Sequence, residues 1–454
     1  MKVSVIGLGY VGAVTGLAIA SRPGFDVVGI ETDRRKVKAY NSGKVPFFEP
    51  GLEVLLKKAC RARRFRASSD YEDCADSDVS IIAVGTPSSS NGSPDLTYVK
   101  NAASELSKVV HRSHKRMTVV VKSTVIPGTA RNVVGPLLGN EAELGSSLGL
   151  ASNPEFLAEG TAVDDMLHPS RLVVGAADRL SASAMRSLYS KFYGEAFKRI
   201  PYIETTLENA ELIKYASNSL LSLKVSFINE IARICEATPN ADVDTVALGV
   251  GLDRRLGRSF LKAGPGWGGS CFRKDVSALL AYSEELLGAR PKVLAANLAS
   301  NVDQRSYVVR LAEKALGGLK GKEIAVLGVA FKARTDDVRD SQAFDVVSKL
   351  LVAGSKVSVY DPSPAALENF KAQFKGEEME GGDPTYSTSL EDCLRGREGA
   401  VILTDWDEFK KLKPSFFSSL MNGEKALVDT RRIYDRDEFR RKSLRYVALG
   451  VNDE

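Results

Sequence analysis

Gly7-Leu8-Gly9-Tyr10-Val11-Gly12 stands directly after an apolar run, 3–6, and opens a helix-like stretch, 11–20. A strand that turns through three glycines into a helix constrains the fold more than any compositional figure. Gly7 permits the tight turn, Gly9 lets the backbone approach a pyrophosphate, and Gly12 allows close helix–strand packing. Free N–H groups and the positive dipole end of the helix then face the phosphates. Glu31 follows about 20 residues on, after a second strand-like run at 26–30, where a carboxylate binds an adenosine ribose. Its charge repels the 2′-phosphate of NADP and so favours NAD, although Arg34 and Arg35 nearby leave NADP open.

The alternation continues with strand-like runs at 79–84 and 118–122, followed by turn residues at 85–87 and 126–128, and extends to about Pro201. Strands spaced by helical stretches indicate βαβ units and a parallel sheet. The middle changes character: 207–237 has helical periodicity with neither Gly nor Pro. After a Gly-rich knot at 264–269, helical patterning resumes over 274–316. Strand-like runs then return at 324–329, 356–360, 400–404 and 426–429, with a helix over 341–353. A chain of 454 residues exceeds one ordinary core. The pattern predicts an α/β protein with two Rossmann-like doubly wound domains, 1–201 and 317–454. A long helical segment, 202–316, joins them and offers a dimer surface. The polar stretch 375–385 reads as an exposed loop.

With 62 basic against 57 acidic side chains, the net charge of +5 is small for this length and calls for neither nucleic acid nor a membrane surface. It suits an anionic small-molecule substrate. The basic clusters at 60–66 and 431–445 read as solvated helix faces. No apolar run approaches the ~20 residues of a membrane span. A strand-like segment begins at once, which leaves no room for a signal peptide. Five cysteines without a Cys-x-x-Cys pair, and three histidines, suggest neither a disulfide framework nor a metal site. A reducing cytoplasm fits that usage.

Four further motifs carry chemistry. In Gly266-Trp267-Gly268-Gly269-Ser270-Cys271-Phe272-Arg273-Lys274-Asp275, a glycine loop delivers Cys271 to the first turn of a helix. There the dipole and free N–H groups stabilise a thiolate, and Asp275, four residues on, shares its face. Lys214 and Asn218 lie one helical turn apart, and an ammonium and a carboxamide aimed at one point stabilise an oxyanion. Asn153-Pro154-Glu155-Phe156-Leu157-Ala158-Glu159-Gly160 sets two carboxylates at helical i, i+4 spacing, one a candidate general base. Lys122-Ser123-Thr124-Val125 ends a predicted strand, where ligands gather in open α/β sheets.

In this order the motifs resemble the UDP-glucose/GDP-mannose dehydrogenase family over essentially the whole chain. Glu49-Pro50-Gly51-Leu52, Val84-Gly85-Thr86-Pro87-Ser88, Phe331-Lys332 and Arg431-Arg432 extend the resemblance. It implies two hydride transfers to two NAD at one site, taking a sugar CH₂OH to a carboxylate. Cys271 would capture the aldehyde as a thiohemiacetal and carry the later thioester. Lys214 and Asn218 would stabilise oxyanions, Asp275 and Thr124 would position water, and Glu155 would be the general base. The resemblance puts Gly7, Leu8, Gly9, Tyr10, Val11 and Gly12 on the cofactor. It adds Glu31, Lys36, Thr86, Thr124, Glu159 and Arg339 as further cofactor contacts, Glu159 near the nicotinamide. For the nucleotide sugar it implies Glu155, Phe156, Leu157, Lys214 and Asn218. It also implies Phe260, Gly268, Phe331, Lys332 and Arg431, with Arg255 reaching a neighbouring subunit's site in a homodimer or higher homo-oligomer.

Two positions depart from the family pattern: Arg273 stands where many members have proline, and Glu31 replaces the commoner aspartate. His168-Pro169-Ser170-Arg171 and Asp253-Arg254-Arg255 lean toward the UDP-sugar branch over the GDP-mannose branch; UDP-glucose is the expected substrate, with GDP-mannose or an N-acetylated UDP-sugar as alternatives. A two-electron β-hydroxyacid dehydrogenase also uses a lysine and an asparagine on a central helix, but leaves Cys271 in its glycine loop unexplained. A non-catalytic nucleotide-sugar-binding module is the remaining reading, and the full set of reactive side chains argues against it.

Overall fold

The computed structural model describes residues 1–89, 91–110, 115–139, 145–376, 381–440 and 444–452. The chain divides into two compact units, 1–217 with 281–286, and 218–280 with 287–454.

The first unit is built on β1 (Lys2–Ile6), β2 (Asp26–Ile30), β3 (Phe65–Ser68), β4 (Val79–Ile82), β5 (Met117–Val121), β6 (Leu148–Ser152), β7 (Leu172–Ala176) and β8 (Tyr202–Thr205). Their order is β3-β2-β1-β4-β5-β6-β7-β8, parallel except for the antiparallel β6–β7 pair. The first six strands follow the 3-2-1-4-5-6 order of a doubly wound sheet. Val3, Val5, Val79, Ile81, Val119 and Val121 are all buried, as expected where helices cover both faces of a sheet. Each such side chain contributes roughly 1.5–3 kcal/mol of burial. Four of these strands, β3, β6, β7 and β8, have no counterpart among the sequence-predicted ones. Phe65–Ser68 alternates buried and open positions, and Leu148–Ser152 carries Gly149 and two serine-sized residues at its end, so neither presents a long apolar run. Tyr202–Thr205 is mostly open to solvent and pairs only along the sheet edge, which carries the first sheet past Pro201.

The second unit repeats the plan with β9 (Glu323–Leu327), β10 (Lys356–Tyr360), β11 (Thr385–Tyr386), β12 (Gly399–Ile402), β13 (Ala426–Asp429) and β14 (Arg445–Ala448), ordered β11-β10-β9-β12-β13-β14 and parallel throughout. Its helical residues share that sheet's core: Ile228, Ala232, Val308 and Leu311 belong to one buried cluster with Ile324, Val326 and Val347.

The long helix spans Leu207–Ala237, as its unbroken periodicity predicts. The pattern over 274–316 resolves into two helices, Phe272–Leu287 and Lys292–Leu316. Gly288 adopts φ +63° after the first and Pro291 caps the second, so the backbone cannot run through. Of the two basic clusters, the first is the solvated surface expected, with Arg61, Arg63 and Arg66 exposed, and the second differs. Arg431 is half-buried and the Arg432 side chain is largely buried against Asp242 and Asp244, while 441–443 lie outside the described residues. Of the polar stretch 375–385, residues 377–380 lie outside the described residues, Lys375 and Gly376 end a helix, and Thr385 begins β11. No helix among the described residues is long and apolar enough to cross a membrane.

Candidate active site

The glycine fingerprint is built as its spacing requires. Gly7 sits at φ +89° directly after β1, with its N–H on the Ile30 carbonyl at 2.8 Å. A Cβ on Gly12 would lie 1.8 Å from the Gly7 oxygen, so only glycine lets the helix Tyr10–Ala20 come this close. A Cβ on Gly9 would meet nothing within 4 Å, which leaves the space over the helix N-terminus open. The fingerprint therefore fits a dinucleotide pyrophosphate, which needs that opening and the free N–H groups beside it. Glu31 follows β2 with Oε1 accepting from Asp33 N–H at 3.1 Å, and Lys36 Nζ stands 3.8 Å from Oε2. The Arg35 guanidinium is engaged by Asp33 at 3.0 Å and exposed. Thr86 Oγ1 donates to the Thr124 carbonyl at 2.9 Å, joining the loops after β4 and β5. Tyr10 donates to Glu49, whose Oε2 also accepts from Gly160 N–H at 2.7 Å and whose Oε1 accepts from Ala162 N–H at 2.8 Å. The Glu49-Pro50-Gly51 and Glu159-Gly160 segments are thereby tied to the fingerprint helix.

The helical spacing read from Glu155 and Glu159 does not hold. Residues 153–158 have no regular structure, and the helix begins only at Ala162. Glu155 Oε2 instead accepts from Leu157 N–H at 2.5 Å, a turn two residues long that competes with helix. Its Oε1 pairs with Lys214 Nζ at 2.8 Å, with side chains only 8% and 5% exposed. Burial alone would raise the Glu155 pKa, but Lys214, the Leu157 N–H and Lys122 together hold it below the usual carboxylate value. The carboxylate is therefore ionised and able to accept a proton. Arg171 lies 3.8 Å over the Phe156 ring and donates to Ser217 Oγ at 3.3 Å.

In the second unit Cys271 is exposed and occupies the residue before the helix Phe272–Leu287, its carbonyl accepting from Asp275 N–H at 2.9 Å. This is the N-cap position, where the unpaired N–H groups of the first turn lie beside the thiol. Ser270 Oγ is 3.6 Å from Sγ. Asp275 is 1% exposed and accepts from Asn218 Nδ2 at 2.6 Å and from Lys274 Nζ at 2.5 Å. The glycine loop is held by polar groups from two helices. Asn301 accepts from Trp267 N–H and donates to its carbonyl, at 2.8 and 2.9 Å, and Trp267 Nε1 donates to Ser226 Oγ at 2.9 Å. Asn229 accepts from Gly264 N–H and Gln304 donates to Gly264 O, both at 2.8 Å. Gly268 admits no side chain, since its Cβ would lie 2.4 Å from the Asp340 carbonyl. Arg305, nearly enclosed, donates to that carbonyl, to Asp340 Oδ1 and to Trp267 O.

Arg431 and Phe331 are brought together, Arg431 Nη2 donating to Phe331 O at 3.2 Å and Nε to Leu403 O at 2.6 Å. Lys332 Nζ lies 5.4 Å over the Phe331 ring. Phe260 adopts φ +64° and sits 6.1 Å from Phe272 on the cysteine helix. Arg339 and Arg255 are held by their own neighbours, Asp337 and Asp253, at 2.7 and 2.6 Å, and both are exposed. Sequence reasoning gave no role to Asn229, Asn301, Gln304, Arg305 or Asp340. Asn297, Asn301, Gln304 and Arg305 recur at helical spacing, a pattern that ordinarily marks a solvated face, yet all four are buried.

An open dinucleotide fingerprint, a largely parallel doubly wound sheet and an ionised buried carboxylate on a lysine in the first unit, with an exposed N-cap thiol in the second, mark a dinucleotide-dependent oxidoreductase. Residues 1–193, 208–303 and 325–436 match in turn the NAD binding, central and UDP binding domains of one family. The chain belongs to the UDP-glucose/GDP-mannose dehydrogenase family, and its cofactor is NAD. It is 39% identical to a UDP-glucose 6-dehydrogenase of Rhizobium meliloti, with 100% of each chain covered. A UDP-glucose 6-dehydrogenase of Haloferax volcanii is 38% identical, over 96% of this chain and 98% of that one. Among solved structures, a UDP-glucose dehydrogenase from Pyrobaculum islandicum has a TM-score of 0.87 at 36% identity, covering 99% of this chain and 98% of that one. A UDP-D-ManNAc dehydrogenase from Pyrococcus horikoshii has a TM-score of 0.83 at 26% identity, with 100% of both chains covered.

Proposed function

We propose that the chain oxidises UDP-glucose to UDP-glucuronate, with two NAD consumed per sugar. The observation that carries this reading is the exposed Cys271 thiol at a helix N-cap, one helical turn before the buried Asp275–Asn218 pair. The UDP-glucose dehydrogenases above are 36–39% identical to this chain, the N-acetylmannosamine enzyme 26%, which favours glucose over an N-acetylated sugar.

Gly7, Leu8, Gly9, Tyr10, Val11 and Gly12, with Glu31, Lys36, Thr86, Thr124, Glu159 and Arg339, hold NAD, which supplies the hydride acceptor when bound. Glu155, ionised beside Lys214, takes protons from the reacting oxygen or from water. Lys214 and Asn218 donate to the oxygen on which negative charge develops. The Cys271 thiolate adds to the aldehyde carbon to form a thiohemiacetal, and after the second oxidation it carries the acyl group as a thioester. Water held by Asp275 and Thr124 adds to the thioester, and the thiolate leaves. Phe156, Leu157, Phe260, Gly268, Phe331, Lys332 and Arg431 receive the nucleotide sugar. Arg255, exposed in its own chain, completes a neighbouring subunit's site. The central helices form the dimer: Leu220, Phe227 and Ile234 recur every seventh residue on the long helix and are 59, 48 and 60% exposed, an apolar stripe that a second copy would cover. Function is exercised in the cytoplasm, whose reducing conditions suit a chain with five cysteines and no Cys-x-x-Cys pair.

The decisive assay offers UDP-glucose, UDP-galactose, N-acetylated UDP-sugars and GDP-mannose in turn and counts NADH per sugar consumed. Two NADH per UDP-glucose, at the highest kcat/KM of the panel, is the expected result. One NADH per sugar would contradict the four-electron scheme, and a preference for another sugar would reassign the substrate.

A further inference from the structure

Lys122, directly after β5, is 3% exposed. Burying an ammonium costs several kcal/mol unless a charge or chemistry repays it. Among the described residues its hydrogen-bond partners are neutral, Asn153 Oδ1 at 3.1 Å and Asn153 O at 3.4 Å. That amide cannot turn away, because Tyr189 donates to the same oxygen and Asn153 Nδ2 donates to Val173 O at 2.8 Å. The charged groups facing Lys122 are Glu155 and Lys214, the pair with the base. Lys122, Asn153 and Glu155 line one cavity of about 150 Å³, with Arg171 and the exposed His168 and Ser170 also in its lining. That volume and polar lining accommodate several waters.

Taking a CH₂OH group to a carboxylate with one water and two hydride acceptors releases three protons, and Glu155 and Lys214 are themselves nearly closed to solvent. We propose that Lys122 is a proton-relay residue that carries protons from the Glu155–Lys214 pair to water in this cavity. Protonated Glu155 gives its proton to the Lys122 amine, directly or through one cavity water. The resulting ammonium then gives a proton to cavity water, which returns Glu155 to the carboxylate and Lys122 to the amine. Burial first, and the Lys214 charge after it, bring the ammonium down to about 8 against the pull of Glu155, so it sheds a proton to water far more readily than an exposed lysine. The relay rests on the alcohol oxidation proposed above.

The test compares wild type, Lys122→Arg and Lys122→Met at saturating NAD and UDP-glucose, across pH. Arginine keeps the charge that Glu155 and Lys214 feel but does not titrate. Both variants are expected to lose about 10²-fold in kcat, with KM for UDP-glucose changed less than about threefold. Added methylamine should restore Lys122→Met in proportion to its concentration. Full rate in Lys122→Arg overturns the relay and leaves charge alone as the role of Lys122. Full rate in Lys122→Met, or loss of rate without amine rescue, overturns it as well. Should the variants not fold, wild type decides. Its kcat must rise with pH between about 6.5 and about 8.5, as a relay that sheds protons through Lys122 requires, and a flat profile overturns the relay. Wild type yielding fewer than two NADH per UDP-glucose overturns the function, and the relay with it. Two NADH alongside a fast Lys122→Arg overturns the relay alone.

Discussion

Single atoms decide much of the chemistry. Sγ of Cys271 is exposed at a helix N-cap, whereas the thiols of Cys74 and Cys393 are buried and pushed upward by desolvation, the first to about 12 and the second to about 11. At neutral pH those two are inert. Cys271→Ser is expected to abolish formation of the second NADH, and mass spectrometry of the quenched enzyme should show no acyl adduct on the variant. Turnover at the wild-type rate would instead support the two-electron rival. Lys214→Met removes both an oxyanion donor and the partner of Glu155. A fall of about 10²–10³-fold in kcat is expected, with the remaining activity moved to higher pH because Glu155 loses the cation that keeps it ionised.

At the scale of elements, the long helix supports the loop after β5 through one buried carboxylate. Glu211 Oε2 accepts from Gly128 N–H at 2.6 Å and Oε1 from Ala130 N–H at 2.8 Å, just where the short helical segment Ala130–Val134 begins. Burial, opposed by those two N–H groups, pushes its pKa up to about 7. The folded protein therefore holds this proton more tightly than the unfolded chain. The contribution is fully present below the ordinary carboxylate value near 4.5 and is lost as pH rises through about 7. Glu211→Gln should flatten the fall in melting temperature between about pH 5 and about pH 8, a difference on the order of 1–3 kcal/mol. An unchanged pH dependence in the variant would show that Glu211 does not control it. The helix Lys292–Leu316 does comparable work for the cysteine loop. Its Asn301, Gln304 and Arg305 side chains replace the regular backbone pairing that a Gly-rich segment lacks.

For the whole molecule, the second sheet repeats the order of the first six strands of the first sheet, yet only the first has the glycine fingerprint. The exposed stripe of Leu220, Phe227 and Ile234 is expected to be the dimer contact. Phe227→Glu should convert the protein to a monomer in light scattering and lower activity, because Arg255 would then have no neighbouring site to complete. A wild-type protein that runs as a monomer would remove the stripe from this role.

The sequence by itself determined the two sheets' central strands, the long helix, the dinucleotide turn and the place of Cys271 at the head of a helix. Each is a local consequence of residue type at fixed spacing: Gly12 must be glycine because its Cβ would overlap the Gly7 carbonyl, and Leu207–Ala237 is unbroken because nothing in it stops a helix. Only the tertiary structure decided that Glu155 pairs with Lys214 outside any helix, that a polar stripe on Lys292–Leu316 is buried, and that Lys122 is enclosed with Asn153. Those outcomes depend on which distant groups desolvate and satisfy one another, and periodicity along a single chain carries no record of that.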